Sequence, residues 1–109
     1  MKAIYWQDGK NLDYTNSTNA KIEANTILVV GDIVGVAGTD IEAGETGSVI
    51  TKGVFEMPKK DSTATTQGTK VYFDTTDGIT ATAGTLKQAG YAAADSAAGD
   101  TAILVKLLG

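Results

Sequence analysis

The side chains in this chain best equipped to do chemistry are carboxylates. Asp40, Glu42 and Glu45 fall within six residues of one another, and Asp74 and Asp77 bracket the short stretch "DTTD". Paired carboxylates can share acid–base work or ligate calcium. A helix-loop-helix calcium loop needs acidic or amide ligands at alternate positions and a closing Glu, and neither cluster supplies that pattern. The chain has no His, so it lacks the commonest general base near neutral pH and the commonest transition-metal ligand. It has no Cys, which excludes disulfides and thiolate zinc sites and leaves the redox compartment undetermined. The expectation is carboxylates at solvated turns, with no catalytic residue, no metal ligand and no cofactor.

The same counts bear on partners. All nine basic residues are Lys, so the guanidinium fork that reads phosphate and guanine is missing, and the net charge is -4. Duplex nucleic acid, which demands a surplus of positive charge along one face, is not an expected partner. "GDIVGVAG" lacks the Gly-Lys-Ser/Thr ending of a phosphate-cradling loop. The longest apolar run, "TILVVG", falls far short of the roughly 20 residues that span a bilayer, and no basic segment with an apolar run and cleavage site opens the chain, so no membrane is expected and synthesis inside the cell is.

The elements that would position these residues read as strands. A chain of 109 residues is the size of one domain. Gly and Thr are abundant, Pro58 is the one proline, and helical periodicity is hard to find. "SVITKGVFEM", Ser48 to Met57, is β-branched and aromatic, with Gly53 suggesting a bulge or bend. "TKVYFD" places Val71 and Phe73 on one face and Tyr72 on the other. Asp77-Gly78 then predicts a tight turn and a hairpin. In "TAILVKLL" Ile103, Val105 and Leu107 alternate with Ala102, Leu104 and Lys106; both faces are rather apolar, which predicts a central strand or one packed on a neighbouring subunit. At the start, Asp8-Gly9 between Ala3–Trp6 and Asn11–Tyr14 reads as a hairpin or loop, followed by a polar, mobile surface stretch from Thr15 to Lys21. Residues 59–68 look equally loose. Residues 1–24 are expected to be an N-terminal arm or hairpin, and residues 25–109 a β core.

One pattern occurs twice. "GVAGTDIEAGETGSV" from Gly35 and "GYAAADSAAGDTAIL" from Gly90 share the form G-x-A-x-x-D-x-x-A-G-[DE]-T followed by a strand. A strand ends near Asp40 or Asp95, whose carboxylate caps a turn. Gly44 or Gly99 then lets the backbone reverse, and an apolar strand departs. The Ala-rich "YAAADSAAGD" is therefore not read as helix, since its counterpart carries Gly and β-branched residues. Either a duplicated strand-turn-strand unit or one good turn arising twice accounts for the pattern. Two such units are too few for a solenoid and fit a pseudo-symmetric barrel or sandwich.

Over most of its length the chain resembles the small phage-encoded family of capsid cement or head decoration proteins, once described as recombinase-like. The similarity is carried by "GDIVGVA" (31–37), "GVFEMPK" (53–59), "KVYFD" (70–74) and the closing "AGDTAILVKLLG", with Gln7-Asp8-Gly9 and "LDYT" near the start. These are turn glycines and strand residues, not a catalytic motif. The segment "STNAKIEAN" departs from the family, which often shows a small-residue Gly turn there. The resemblance implies a non-enzymatic structural protein of the virion, on the outer capsid surface after assembly in the host cytoplasm. It further implies a homotrimer at a symmetry axis, bridging subunits of the phage major capsid protein.

The expected architecture is all-β: a small single-domain β-barrel or β-clip-like fold of seven to ten short strands, with an extended N-terminal arm and an internal repeat. The capsid- or subunit-interface candidates are Ile4, Tyr5, Trp6 and Tyr14 near the N-terminus, together with Leu107 and Leu108, which could pack across a threefold axis. For Trp6 the alternative is closure of one end of the core, and for the two leucines intrachain packing. Tyr72 and Tyr91 are weaker candidates, and Phe55 and Phe73 belong to the core. A glycan-binding or adhesion module, with exposed aromatics stacking on sugar, is the second functional reading; a tail or other virion assembly subunit is the third.

Overall fold

Alternation of apolar and polar residues over runs of four to six, broken by Gly, Asn and Asp, gives short strands and tight turns. The computed structural model describes residues 1–5 and 9–108. Nine strands form among the described residues: β1 (Asn11–Thr15), β2 (Ile27–Val30), β3 (Ile33–Ala37), β4 (Thr46–Ile50), β5 (Val54–Pro58), β6 (Lys70–Asp74), β7 (Gly78–Thr80), β8 (Lys87–Ala92) and β9 (Ala102–Leu107). No helix occurs among the described residues.

All ladders are antiparallel, in two sheets ordered β1-β4-β3-β2 and β5-β9-β8-β6-β7. The orders are the same motif used twice, with β5, β9, β8 and β6 standing where β1, β4, β3 and β2 stand in the first sheet. The second sheet also curls on itself. A parallel bridge joins Lys59 to Ile79, and the Lys60 N–H donates to the Ile79 carbonyl at 2.8 Å, so its edge strands β5 and β7 meet. Curling in this way leaves fewer unpaired backbone groups at the sheet edges.

The two halves correspond bond for bond. Ile22 and Ile41 exchange both backbone hydrogen bonds, and so do Thr65 and Ser96. The Asn25 N–H donates to Ala37 O and the Gly68 N–H to Ala92 O, each at 2.8 Å. Asn25 and Gly68 hold matching left-handed positions, with φ of 71° and 87°. Ile22 lies 43 residues before Thr65, whereas Ile41 lies 55 before Ser96; the extra 12 residues are taken up by β7 and its loops. The recurring sequence pattern is therefore a structural repeat.

Its capping carboxylates work across the sheet. Asp40 Oδ1 accepts from the Ala24 N–H at 2.8 Å and Asp95 Oδ1 from the Gln67 N–H at 2.7 Å, so each fastens the turn that leads into the neighbouring strand. Side-chain volumes compensate between the halves. Ile41 packs over Gly47, where an added Cβ would collide with its side chain; the matching pair is Ser96 and Ala102. Polar side chains fill corresponding roles too. Asn16 Nδ2 donates to Ile41 O at 2.9 Å, and Lys59 Nζ donates to Ser96 Oγ at 3.0 Å.

The main core lies inside the curled sheet and against β3. It contains Val34, Val36, Met57, Val71, Phe73, Ile79, Ile103, Val105 and Leu107, with Phe55 packed at its margin. Val71 and Phe73 point inward, and half-buried Tyr72 lies on the opposite face, as alternation predicts. β9 is central, between β5 and β8.

Two expectations change. Ser48 to Met57 is not one bent strand: β4 belongs to the first sheet and β5 to the second, and Gly53, at φ 116°, marks the crossing. The stretch from Thr15 to Lys21 was expected to be a polar surface loop, yet Asn16 is fully buried. Its Nδ2 also donates to Ala20 O at 2.8 Å, and its Oδ1 accepts from the Thr18 N–H at 3.0 Å and the Thr18 hydroxyl at 2.6 Å. A side chain offering two donors and an acceptor can organise a loop from inside, which polarity alone does not reveal. β1 takes β4 as its partner, and residues 1–5 form no strand. Asp8 of the expected Asp8-Gly9 turn lies outside the described residues.

Candidate functional site

The carboxylates that opened the argument are all occupied structurally or solvated. Asp74 Oδ1 accepts from the Thr76 N–H at 2.9 Å and closes the β6–β7 turn, while its Oδ2 takes Lys60 Nζ at 2.9 Å. The lysine, helped by those backbone donors, holds the Asp74 carboxyl below the ordinary aspartate range, and Asp74 raises Lys60 in return. Asp40 is lowered first by the Ala24 N–H and then by Lys21 at 3.6 Å. Asp32, in the β2–β3 turn, is lowered by Lys87 of β8, whose Nζ lies 2.6 Å away and ties the two sheets together. Glu42 and Glu45 are exposed. Among the described residues, no group of three or more acidic side chains is placed to hold a metal ion.

What the surface offers instead is apolar. Ile4 and Tyr5 stand out from the body at 88% and 79% exposure. Tyr14 is half-buried on β1, opposite Gly47. Trp6 lies outside the described residues. The two C-terminal leucines separate sharply. Leu107 is in the core and its N–H donates to Gly53 O at 2.9 Å, whereas Leu108 is half-exposed. Leu108 lines a cleft of about 320 Å³ with Leu12, Ile33, Val34 and Thr51, and Ile33 there is 43% exposed. The structure thus joins Leu108 to residues 57 or more positions away, and separates it from Leu107.

A second patch includes Tyr91, only a weaker candidate from sequence, together with two residues that sequence reasoning missed. On the outer face of the curled sheet, Val54, Leu104 and Tyr91 are all exposed, on the adjacent strands β5, β9 and β8. Lys106 lies opposite both Val54 and Tyr91, and Glu56 opposite Leu104, so the strip carries one charge of each sign. The available signal was the double-apolar alternation of β9, whose outward member is Leu104.

Antiparallel strands, exposed turns and exposed aliphatic side chains make up what the described surface offers. A family model described as phage cement protein matches residues 6–107. The chain belongs to that family. Searches of curated proteins and of solved structures returned no match. Membership makes the chain a structural protein of the phage virion that acts at the capsid. The cement protein's motifs "GDIVGVA" and "KVYFD" coincide with β3 and its preceding turn and with β6, so the resemblance rests on the repeated framework.

Proposed function

We propose that this cement protein binds the outer surface of the phage head and stabilises it by bridging neighbouring major capsid subunits, as a homotrimer and without catalytic turnover. The observation that carries this reading is the family match over nearly the whole chain. The physical logic is avidity. Packaged DNA strains a shell at the junctions between its subunits, and a rigid body touching several of them converts modest contacts into one firm attachment. A trimer needs only standard-sized patches, about 800 Å² per partner, built around a few buried apolar anchors. Ile4, Tyr5, Trp6, Tyr14 and Leu108 are the proposed contact set, whereas Leu107 belongs to the core. Before assembly the protein resides in the host cytoplasm.

The test is co-sedimentation of the purified protein with undecorated, expanded heads, counting bound copies per shell and following heat release of DNA. Saturation at a multiple of three per site, with later DNA release, is expected. Failure to sediment with heads, together with retention on a glycan array, would transfer the protein to the adhesion class. Truncation should stop at residue 5, because residues 11–15 are β1 and their loss would strip an edge from the first sheet.

A further inference from the structure

We propose that copies of this chain join edge to edge, with β2 of one copy pairing antiparallel to β1 of the next in one continuous sheet. The inference rests on the homotrimer reading and names the contact that builds it.

The repeat marks where a strand is missing. The first half turns from β2 to β3 through Gly31 and Asp32, whereas the second uses residues 75–86 to pass from β6 to β8 and places β7 among them. β7 covers the outer edge of β6 and meets β5 through the Lys59–Ile79 bridge, so both edges of the second sheet are sealed. The first sheet has no such strand among the described residues, and its edge strands β1 and β2 each have one neighbour.

Hydrogen-bond phase identifies the groups left open. The Ala37 N–H donates to Thr26 O at 2.9 Å, so by alternation Leu28 and Val30 bond to β3 while the backbone groups of Ile27 and Val29 point outward. The Thr51 N–H donates to Lys10 O at 2.8 Å, so Leu12 and Tyr14 bond to β4 while Asn11, Asp13 and Thr15 point outward. β2 reads Ile-Leu-Val-Val, without the charge or proline that blunts an exposed edge.

One occupant satisfies both edges. Four strands in antiparallel order leave β1 and β2 running in opposite directions, so a neighbouring copy in the same orientation brings its β1 antiparallel to β2. Setting Asp13 and Thr15 opposite Val29 and Ile27 joins outward groups to outward groups. That register places Tyr14 beside Leu28 and Leu12 beside Val30, all four half-buried and on one face of the sheet. It also brings Lys10 alongside Asp32. Lys10 is exposed and has no ion-pair partner among the described residues, and Asp32 takes Lys87 on Oδ1 alone. The sealed half offers the contrast: at the position matching Thr15 it carries Pro58, which has no N–H to donate. A head-to-tail contact of this kind repeats from copy to copy and closes as a ring.

The chain has no Cys, so introduced thiols report the contact. One full-length chain carries Asp13→Cys and a second carries Val29→Cys. Within a chain these positions lie three strand spacings apart, about 14 Å and beyond disulfide reach, whereas opposite residues of a ladder are within it. The chains are mixed, both free and on undecorated, expanded heads, then oxidised, and covalent dimers are counted on a denaturing gel. The mixed dimer is expected several-fold above the level formed by either chain alone, and a chain carrying both thiols is expected to close into a covalent trimer. Thr15→Pro in the first chain should cut the mixed yield several-fold while moving Tm by no more than a few degrees, since the framework already accepts proline at the matching position. Lys10→Glu should also lower the yield, and Asp32→Lys in the second chain should restore it. Mixed yields equal to those of the single chains in both samples would overturn the proposal, and so would yields that Thr15→Pro leaves unchanged. The two readings fail separately. Linked chains that close at a number other than three support the edge contact and refute the homotrimer. Linked copies that leave heads undecorated refute the capsid role alone, and decoration by chains that never link refutes edge pairing alone.

Discussion

Gly90→Ala adds one methyl group at the place where β8 runs closest to β9. The new Cβ would fall inside the Lys106 carbonyl oxygen, 2.8 Å from the Lys106 carbonyl carbon and 3.0 Å from Leu107 Cα. All three obstacles are backbone, so no rotamer change relieves the clash. β9 cannot withdraw freely, because it is paired with β5 on its other side and Ile103, Val105 and Leu107 anchor it in the core. Relief requires opening the β8–β9 ladder at Gly90↔Leu107 and Tyr91↔Lys106. Overpacking of this kind costs up to about 3 kcal/mol, and a lost ladder hydrogen bond adds about 1 kcal/mol. The total, about 4 kcal/mol, is a large share of the 5–15 kcal/mol typical of a domain. At roughly 4–8 °C per kcal/mol, Tm should fall by about 16–32 °C. The repeat supplies an internal control. At Gly35, the matching position, an added Cβ meets Val49 Cγ1 at 2.5 Å and Ile50 O at 2.9 Å, so its overlap with backbone is milder than at Gly90. Gly35→Ala should therefore cost less, about 1–3 kcal/mol. Calorimetry or thermal circular dichroism on the pair decides the matter. A Gly90→Ala protein melting within a few degrees of the parent, or one more stable than Gly35→Ala, would refute the crowding argument.

Asn16→Asp replaces a buried donor with an acceptor facing Ala20 O and Ile41 O, and should destabilise by about 3 kcal/mol at neutral pH, with partial recovery in acid once the new carboxyl is protonated; thermal melts at two pH values read both effects. Leu107→Ala should cost about 2–5 kcal/mol in chemical denaturation, whereas Leu108→Ala should leave Tm nearly unchanged and weaken head binding in the sedimentation assay. The pH profile of stability should be flat through neutrality, because there is no His. Asp32, Asp40 and Asp74 have folded pKa values below their unfolded ones, so their contribution is present above about pH 4, the ordinary aspartate range, and is lost as pH falls through the depressed values. Lys60 is raised, so its contribution holds below the ordinary lysine pKa near 10.4 and disappears as pH climbs through the folded value. Denaturant midpoints measured from pH 3 to 11 should show a plateau with losses only at the two ends; a step near pH 6–7 would contradict this.

Turns and alternation were legible in the chain because they depend on neighbours a few residues apart. Asp74 with the Asp77-Gly78 turn and the inward pair Val71 and Phe73 rest on local backbone bonding or a period of two, whereas the recurrence of Asp40 and Gly44 as Asp95 and Gly99 showed only as a pattern, its carboxylates bonding to residues 16 and 28 positions away. The lack of His, Cys and Arg limited the chemistry before any fold was known. The candidate surface was legible only in part: Ile4, Tyr5 and Leu108 are exposed as an interface requires, but Ile33, Val54 and Leu104 carried no sign of which way they would face. Tertiary packing decided that. A strand apolar on both faces buries whichever side the curl of its sheet encloses, so Leu107 went inside and Leu104 outside. Gly53 became a crossing between sheets because β5 found β9, 46 residues away at the Met57–Ile103 pairing, rather than continuing along β4. Asn16 was buried because Ile41 O lay within its reach in three dimensions, 25 residues along the chain. Contacts of this range are set by the summed burial of a whole core, which no short window of sequence contains.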